Sequence, residues 1–201
     1  MNMWYQYKSK INKALEEFIF DEKIINTLET AKENNNIIFV AGNGGSADIA
    51  NHYVCDFSKG ANENWKNNKN RFRVICLSSN IGYLSAIAND ESYEEVFKEQ
   101  LVNLASPQDI IILISSSGNS QNIIKAAEYA KSIGMKVIGI TGLKGGKLRK
   151  ISDYSAHIET DLYEISEDIA SIFGHFLAWY FRERNLDFKK NIEEESIKLH
   201  S

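Results

Sequence analysis

The sequence is poor in the features that mark several classes of protein. It contains only two cysteines, Cys55 and Cys76, which are too few for a disulfide framework and favour a reducing compartment. No apolar run approaches the roughly 20 residues of a membrane span, and the N-terminus lacks the continuous apolar segment of a signal peptide. The net charge is -4, so nothing indicates the basic face that nucleic-acid binding requires. These absences predict a cytoplasmic protein without a membrane or nucleic-acid partner.

Length and composition favour one domain. Hydrophobic residues make up 43% of the 201 residues, which is enough for a substantial core. This length fits one large domain and leaves little room for two. The chain has a single proline, and no linker, internal repeat or low-complexity segment divides it. We therefore expect residues 1–201 to form a single domain.

Short apolar runs alternate with segments of helical periodicity. Runs typical of buried strands occupy 37–41, 73–77, 109–115, 136–141 and 154–158. Helical patterns precede the first run, separate most of the others and follow the last, where a long helix is predicted from about Glu164 to Arg184. The polar stretch 58–70 predicts an exposed loop. This alternation predicts an α/β fold with a parallel sheet covered by helices on both faces.

The first polar turn is Gly42-Asn43-Gly44-Gly45-Ser46, directly after a predicted strand. Its three glycines allow a sharp turn and a close approach of the backbone to a ligand, and Ser46 can cap the following helix. An ordinary strand–helix turn explains the same residues equally well. The turn departs from both G-x-G-x-x-G and the Walker pattern, so we predict no nucleotide cofactor.

The second polar turn, Ser115–Ser120, carries four serines around one glycine and one amide, and a helical pattern begins at Gln121. Capping requires one serine, so a ligand explains the cluster better than a merely polar loop does. Hydroxyls and unpaired backbone N–H groups at a helix N-terminus favour an anion such as phosphate. Both polar turns follow strands of one parallel sheet, so we expect them to line one crevice that binds a phosphorylated ligand.

Two segments carry candidate titratable groups. His52 and Asp56 are four residues apart on a helix predicted from Ala47 to about Phe57, so they share one face. Such a pair suits acid–base catalysis or metal binding, although a surface pair is the commoner case. His175 follows Glu167 by eight residues, about 12 Å of helical rise. If that helix is continuous, the two side chains cannot easily meet around one small ligand, and we expect a site built from two chains.

Taken in order, these motifs resemble the SIS domain family, most closely its phosphoheptose isomerase branch. The resemblance rests on the glycine turn, the His52/Asp56 helix, the Asn89-Asp90 pair, the serine turn and the Glu167…His175 helix, and it covers nearly the whole chain. It implies a three-layer, doubly wound, five-stranded parallel sheet of the flavodoxin-like type, here with additional N-terminal helices. It also implies a homotetramer with sites between subunits.

The same resemblance implies an aldose–ketose isomerase that converts D-sedoheptulose 7-phosphate to D-glycero-D-manno-heptose 7-phosphate, for the heptose of lipopolysaccharide or capsule. The implied catalytic residues are Asp56 and His175. The implied substrate-binding residues are Asn43, Gly44, Gly45, Ser46, Asp56, Asn89, Asp90, Ser115, Ser116, Ser117, Ser120 and Glu167. Some members bind one Zn²⁺ per site through the positions of His52, Asp56, Glu167 and His175.

The chain departs from the family pattern at two single positions and at Phe57-Ser58-Lys59-Gly60, which replaces an arginine-containing Leu-Thr-Gly-Arg run. The family carries glutamate where this chain has Asp56, and usually glutamine where it has Glu167. The shorter Asp56 must lie about one methylene closer to the substrate, and Glu167 adds a negative charge that would strengthen metal binding or raise a neighbouring pKa. Two alternative functions stay open: an isomerase of another phosphosugar, and a non-catalytic SIS protein that binds a protein such as a replication initiator. The role of Asp56 also stays open, as either a free base or a metal ligand.

Overall fold

The computed structural model describes residues 2–62, 66 and 70–199, with side chains described up to residue 184. The α-helices are α1 (Met3–Glu16), α2 (Lys23–Glu33), α3 (Gly45–Cys55), α4 (Ile81–Asp90), α5 (Lys98–Leu104), α6 (Gln121–Ser132), α7 (Gly146–Ile151) and α8 (Tyr163–Leu199). The strands are β1 (Ile19–Phe20), β2 (Ile37–Gly42), β3 (Arg73–Cys76), β4 (Ile110–Ser115), β5 (Lys136–Thr141) and β6 (Tyr154–His157). Within these described ranges, none of the helices combines the length and apolar character that a membrane crossing requires.

The strands form one sheet in the order β1-β6-β5-β4-β2-β3. The five strands from β2 to β6 pair in parallel. Counted from β2, their order is 2-1-3-4-5, which is that of flavodoxin-like folds. The predicted five-stranded, doubly wound sheet is therefore confirmed. The structure adds β1, whose two residues pair antiparallel with β6 and place Ile19 opposite His157.

Two hydrophobic clusters cover the two faces of the sheet. The first packs α1, α2, α3 and α8 against one face, and the second packs α4, α5, α6 and α7 against the other. Strand β4 separates them, because Ile112 and Ile114 contribute to the first cluster and Ile111 and Leu113 to the second. All six residues of β4 are buried, which explains its uninterrupted apolar run. This arrangement makes α3 and α8 neighbours on one face.

The helix after β2 differs from its prediction. In place of one α-helix from Ala47 to about Phe57, α3 ends at Cys55 and a π-helix continues it over Asp56–Gly60. A π-helix is rare and frequently occurs at functional sites, and sequence periodicity does not reveal its one extra residue per turn. Much of the predicted exposed loop, residues 63–65 and 67–69, lies outside the described part of the chain.

Candidate active site

A cleft opens at the point where the strand order reverses, between β2 and β4. Doubly wound sheets bind their ligands at this switch point, beyond the carboxyl ends of the strands. The cleft has a volume of about 310 Å³. Nine of the predicted substrate-binding residues line it: Asn43, Gly44, Gly45, Ser46, Ser115, Ser116, Ser117, Ser120 and Glu167. Both polar turns therefore border one crevice, as their positions after strands predict.

The serine turn offers hydroxyl groups at the N-terminus of α6. The Ser120 side chain precedes the helix without capping it, which leaves its hydroxyl available to a ligand. The Ser115 hydroxyl accepts a hydrogen bond from the backbone N–H of Gly118 at 3.2 Å. The Ser116 hydroxyl accepts one from the Ser166 hydroxyl at 2.9 Å. Fixed hydroxyls beside the positive end of a twelve-residue helix make a favourable site for an anion.

Asn43 is held by a network that sequence reasoning missed. Its side-chain amide and that of Asn122 donate to each other, both at 2.9 Å. The Tyr93 hydroxyl also donates to Asn43 Oδ1 at 2.9 Å, and the backbone N–H of Ile123 donates to Asn122 Oδ1. Asn122 is buried. The network fixes the β2–α3 turn to the start of α6, and no local pattern predicts a pairing between residues 79 positions apart.

Glu167 completes the cleft at the start of α8. Its carboxylate lies so close to Gly45 that a Cβ on this glycine would stand 2.5 Å from Oε2 and 2.6 Å from Oε1. Burial raises the pKa of Glu167, and the charges of Glu164, Asp168 and Asp48 raise it further. With this raised pKa the carboxyl keeps its proton to a higher pH than a free glutamate does, and in its protonated form it can donate a hydrogen bond to an anion.

A second group of predicted residues meets on the outer side of α3 and α8. His52 Nε2 lies 2.9 Å from His175 Nε2 and 3.4 Å from Asp56 Oδ1. His175 Nε2 lies 3.8 Å from Asp56 Oδ2. The Asp56 side chain is 13% exposed, and its Oδ2 is buried without a hydrogen-bond partner among the described residues. We name these three residues the His–Asp–His cluster.

Close packing of the two helices forms this cluster. A Cβ on Gly174 would stand 2.2 Å from Cε1 of Tyr53, so glycine lets α8 approach the Tyr53 ring on α3. The Tyr53 hydroxyl donates to the carbonyl of Ala170 at 2.7 Å, one turn earlier on α8. Because His175 follows Gly174 directly, this contact brings its imidazole to His52.

The His–Asp–His cluster has the donor set of a divalent metal site. Its three side chains can each offer one ligand atom, and these atoms lie within 4.8 Å of one another. Two imidazoles and a carboxylate are ligands that Zn²⁺ accepts, and the unpartnered Asp56 Oδ2 retains its lone pairs. Glu167, the fourth predicted ligand, lies in the serine cleft instead. Helix α8 is continuous, so the eight residues from Glu167 to His175 rise about 12 Å.

Asn89 and Asp90 do not line the serine cleft. They lie at the end of α4, both exposed, and Asn89 Nδ2 donates to Asp90 Oδ1 at 2.8 Å. Tyr93, three residues later, is the residue of this segment that reaches the cleft, through Asn43. Within the described part of one chain, the predicted site therefore divides into the serine cleft, the His–Asp–His cluster and this exposed pair.

Fold and site together define a class: a doubly wound α/β protein with a serine-lined cleft at the switch point and a carboxylate beside two imidazoles. The family model of the SIS domain matches residues 6–142. The chain therefore belongs to the SIS domain family, and within it to the phosphoheptose isomerase branch, as its relatives indicate. A phosphoheptose isomerase from Helicobacter pylori (strain P12) is 37% identical over 174 residues, 86% of this chain and 88% of the relative.

Further comparisons agree with this assignment. A phosphoheptose isomerase from Thermodesulfovibrio yellowstonii is 34% identical over 185 residues, 86% of this chain and 90% of the relative. The solved phosphoheptose isomerase from Neisseria gonorrhoeae is 25% identical, with a TM-score of 0.75 and coverage of 90% of this chain and 97% of that chain. The one from Francisella tularensis is also 25% identical, with a TM-score of 0.76 and coverage of 90% and 96%.

Proposed function

We propose that the protein is an aldose–ketose isomerase that converts D-sedoheptulose 7-phosphate to D-glycero-D-manno-heptose 7-phosphate. One observation carries the proposal: a carboxylate, one oxygen of which has no hydrogen-bond partner among the described residues, lies beside two imidazoles, on the helix that leads away from a serine-lined cleft. Relatives that are 34% and 37% identical over most of the chain bear the name phosphoheptose isomerase. The cleft supplies an anchor for the phosphate, and the cluster supplies groups that accept and donate protons.

Aldose–ketose isomerisation requires a base that removes a proton from a sugar carbon and a second group that transfers protons on the sugar oxygens. Isomerisation moves one hydrogen between C1 and C2 of the sugar through an enediol. We assign removal of the carbon-bound proton to Asp56, because its Oδ2 has no hydrogen-bond partner among the described residues. We assign proton movement on the two substrate oxygens to His175, whose Nε2 lies 3.8 Å from that carboxylate oxygen. Positioned acid–base groups typically accelerate such steps by about 10²- to 10⁴-fold.

We further propose that His52, Asp56 and His175 hold one divalent ion, with Zn²⁺ as the first candidate. The donor types and the free lone pairs of Asp56 Oδ2 support this site. When bound, the ion would supply Lewis-acid polarisation of the substrate carbonyl. Asp56 would then be a ligand, and its role as a free base would weaken. Metal analysis of the purified protein, with activity measured after chelation and after return of Zn²⁺, separates the two roles.

We also propose a homotetramer whose sites lie between subunits. The side chains of His52 and His175 are 52% and 58% exposed, which is high for groups that handle protons away from water. On the same face of α8, Ile172 and Trp179 precede and follow His175 by three and four residues and are 41% and 52% exposed. An exposed apolar face around a reactive cluster suits coverage by a second chain.

Three broader assignments accompany this proposal. We propose a cytoplasmic location, which Cys55 and Cys76 support because both are free thiols. We propose a single domain over residues 1–201, because one sheet carries both hydrophobic clusters. The use of the product in lipopolysaccharide or capsule heptose follows from the resemblance to phosphoheptose isomerases.

An assay with sedoheptulose 7-phosphate tests the function. Asp56→Asn and His175→Ala are each expected to lower kcat by at least about 100-fold, because each removes a proton-transfer group. Glu128→Gln, at an exposed ion pair with Lys147, serves as the control and should retain full activity. Full activity in both site variants would reject these assignments. Turnover of pentose or hexose phosphates alone would identify another phosphosugar isomerase, and capture of a replication initiator without turnover would favour a non-catalytic protein.

A further inference from the structure

The serine cleft lacks a cation to balance its expected ligand. No lysine or arginine is among its lining residues in the described part of the chain, and Glu167 adds a carboxyl group. A phosphate monoester carries a charge of about -1.5 to -2 at pH 7. Hydroxyl and backbone N–H donors can replace the hydration of that charge, but they do not neutralise it. A cation close to the serine turn would meet this need.

A second cavity adjoins the cleft and contains lysines. It has a volume of about 760 Å³ and lies between α1 and the loops that follow β4, β5 and β6. Ser117 lines both cavities. Two of the three lysines here face acidic partners: Lys10 Nζ lies 3.2 Å from Asp161, and Lys13 Nζ lies 3.8 Å from Glu17.

The third lysine, Lys144, differs from the other two. Its side chain is exposed in the same cavity and has no ion pair or hydrogen bond with another described residue. One further carboxylate, Glu159, lines the cavity, and its Oε2 lies 3.2 Å from Nε2 of His157. Burial and the charge of Arg149 lower the pKa of His157, which favours its neutral form. Lys144 and Glu159 are therefore the charges of this cavity that lack a charged partner among the described residues.

The loop that carries Lys144 is locked to the serine turn. The N–H of Gly142 donates to the Ser116 carbonyl at 3.1 Å, and the N–H of Leu148 donates to the Gly118 carbonyl at 2.9 Å. A Cβ on Gly118 would stand 2.0 Å from the Gly145 carbonyl oxygen, so the two backbones approach as closely as glycine permits. The position of Lys144 is thereby coupled to that of the phosphate-binding serines.

The backbone beside Lys144 is also strained. Leu143 has a φ of 48°, in the left-handed region that residues other than glycine seldom adopt. Such conformations persist where the surrounding structure enforces them, and they cluster at functional sites. The strain accompanies a loop that places a lysine in the cavity shared with Ser117.

We propose that Lys144 is the cation that recognises the phosphate group of the substrate at the serine turn. It would select phosphorylated over neutral sugars. The identity of the sugar rests on the proposed function, but phosphate recognition can be measured without turnover. Lys144 lies outside the His–Asp–His cluster, so it acts on binding and not on proton transfer.

Three variants test the proposal: Lys144→Ala, Lys144→Arg and, as a matched control, Lys147→Ala. Lys147 is on the same chain segment, but it pairs with Glu128 at 2.6 Å and lines neither cavity. Lys144→Ala is expected to raise KM for sedoheptulose 7-phosphate and Kd for inorganic phosphate by roughly five- to tenfold, with kcat unchanged. Lys144→Arg should keep most of the affinity, because its charge is retained, and Lys147→Ala should match the wild type.

Salt and a neutral ligand separate charge recognition from a structural effect. The KM of the wild type should rise with ionic strength more steeply than that of Lys144→Ala, because salt screens an exposed ion pair. Binding of unphosphorylated sedoheptulose should be the same in both. An unchanged KM and Kd in Lys144→Ala, or an equal loss of affinity for the neutral sugar, would overturn the proposal. If the wild type binds phosphate through Lys144 but isomerises no phosphosugar, this inference stands and the proposed function fails.

Discussion

At the scale of single residues, the hydrogen bonds of Asp109 and Asp56 distinguish a structural carboxylate from one that is available for chemistry. Asp109 accepts a backbone hydrogen bond on each oxygen, from Ile37 and from Ser106, both at 2.8 Å. Asp56 instead keeps Oδ2 without a partner among the described residues. A buried polar atom without a hydrogen bond costs about 1–3 kcal/mol. At Asp56 no hydrogen bond to Oδ2 from the described residues offsets this cost. A base or a metal ligand, in contrast, needs the free lone pair.

Also at this scale, Glu167→Gln is expected to stabilise the protein more near pH 7.5 than near pH 4. Burial and nearby acidic groups raise the pKa of Glu167 above its unfolded value, which is close to 4.5. The folded protein therefore holds the proton more tightly than the unfolded chain, and stability falls as pH rises from the unfolded pKa through the folded pKa. Glutamine carries no charge and removes this loss.

Thermal unfolding of the wild type and Glu167→Gln at both pH values measures the effect. Glu183→Gln removes one negative charge from the same helix at an exposed position beside Arg182 and serves as the control. An equal difference in Tm between wild type and Glu167→Gln at the two pH values would contradict the linkage argument.

At the scale of elements, the spacing of α3 and α8 determines whether the His–Asp–His cluster forms. The π-helix that begins at Asp56 belongs to the same contact, because it and α3 both pack against α8. Tyr53 and Gly174 lie between the two helices and fix their separation. The geometry of the cluster is therefore a property of helix packing more than of the three side chains alone.

Gly174→Ala is expected to destabilise the fold and to reduce activity. In a helix interior, alanine is favoured over glycine by about 1 kcal/mol. Here the new Cβ would stand 2.2 Å from the Tyr53 ring, so overpacking is expected to cost about 1–3 kcal/mol. A wider gap between the helices would also move His175 away from His52 and lower kcat.

Urea unfolding and steady-state kinetics check both effects. Gly82→Ala in α4 is the matched control, because its nearest heavy atom would lie 3.6 Å away, an ordinary contact distance. A Gly174→Ala protein as stable and as active as the wild type would show that the helix contact does not control the site.

At the scale of the whole molecule, Trp179→Asp is expected to dissociate the proposed tetramer and to lower activity. Trp179 is 52% exposed in one chain and shares a face of α8 with His175, so a charge there should disturb an interface more than the fold. Light scattering after size exclusion measures the mass, and circular dichroism checks the fold. Glu183→Ala, on the same helix, is the control. A wild-type monomer with full activity would contradict the assembly.

The sequence by itself determines the features that follow from local pattern. The predicted strand 136–141 coincides with β5, because apolar runs of this length report burial on both faces of a parallel sheet. The glycine and serine turns could be assigned to one crevice because parallel strands present their carboxyl ends at the same edge. The spacing of His52 and Asp56 predicted a shared helix face, and in the structure these side chains lie 3.4 Å apart.

Only the tertiary structure decides what depends on contacts between distant segments. It places the Glu167 carboxylate against Gly45 in the serine cleft, a contact that no local pattern predicts. It pairs Asn43 with Asn122 and brings Lys144 into a cavity with Ser117, through loops that meet only after the sheet has formed. Periodicity along the chain predicts which residues are buried and which share a helix face. It does not predict which of these residues become neighbours in the folded protein.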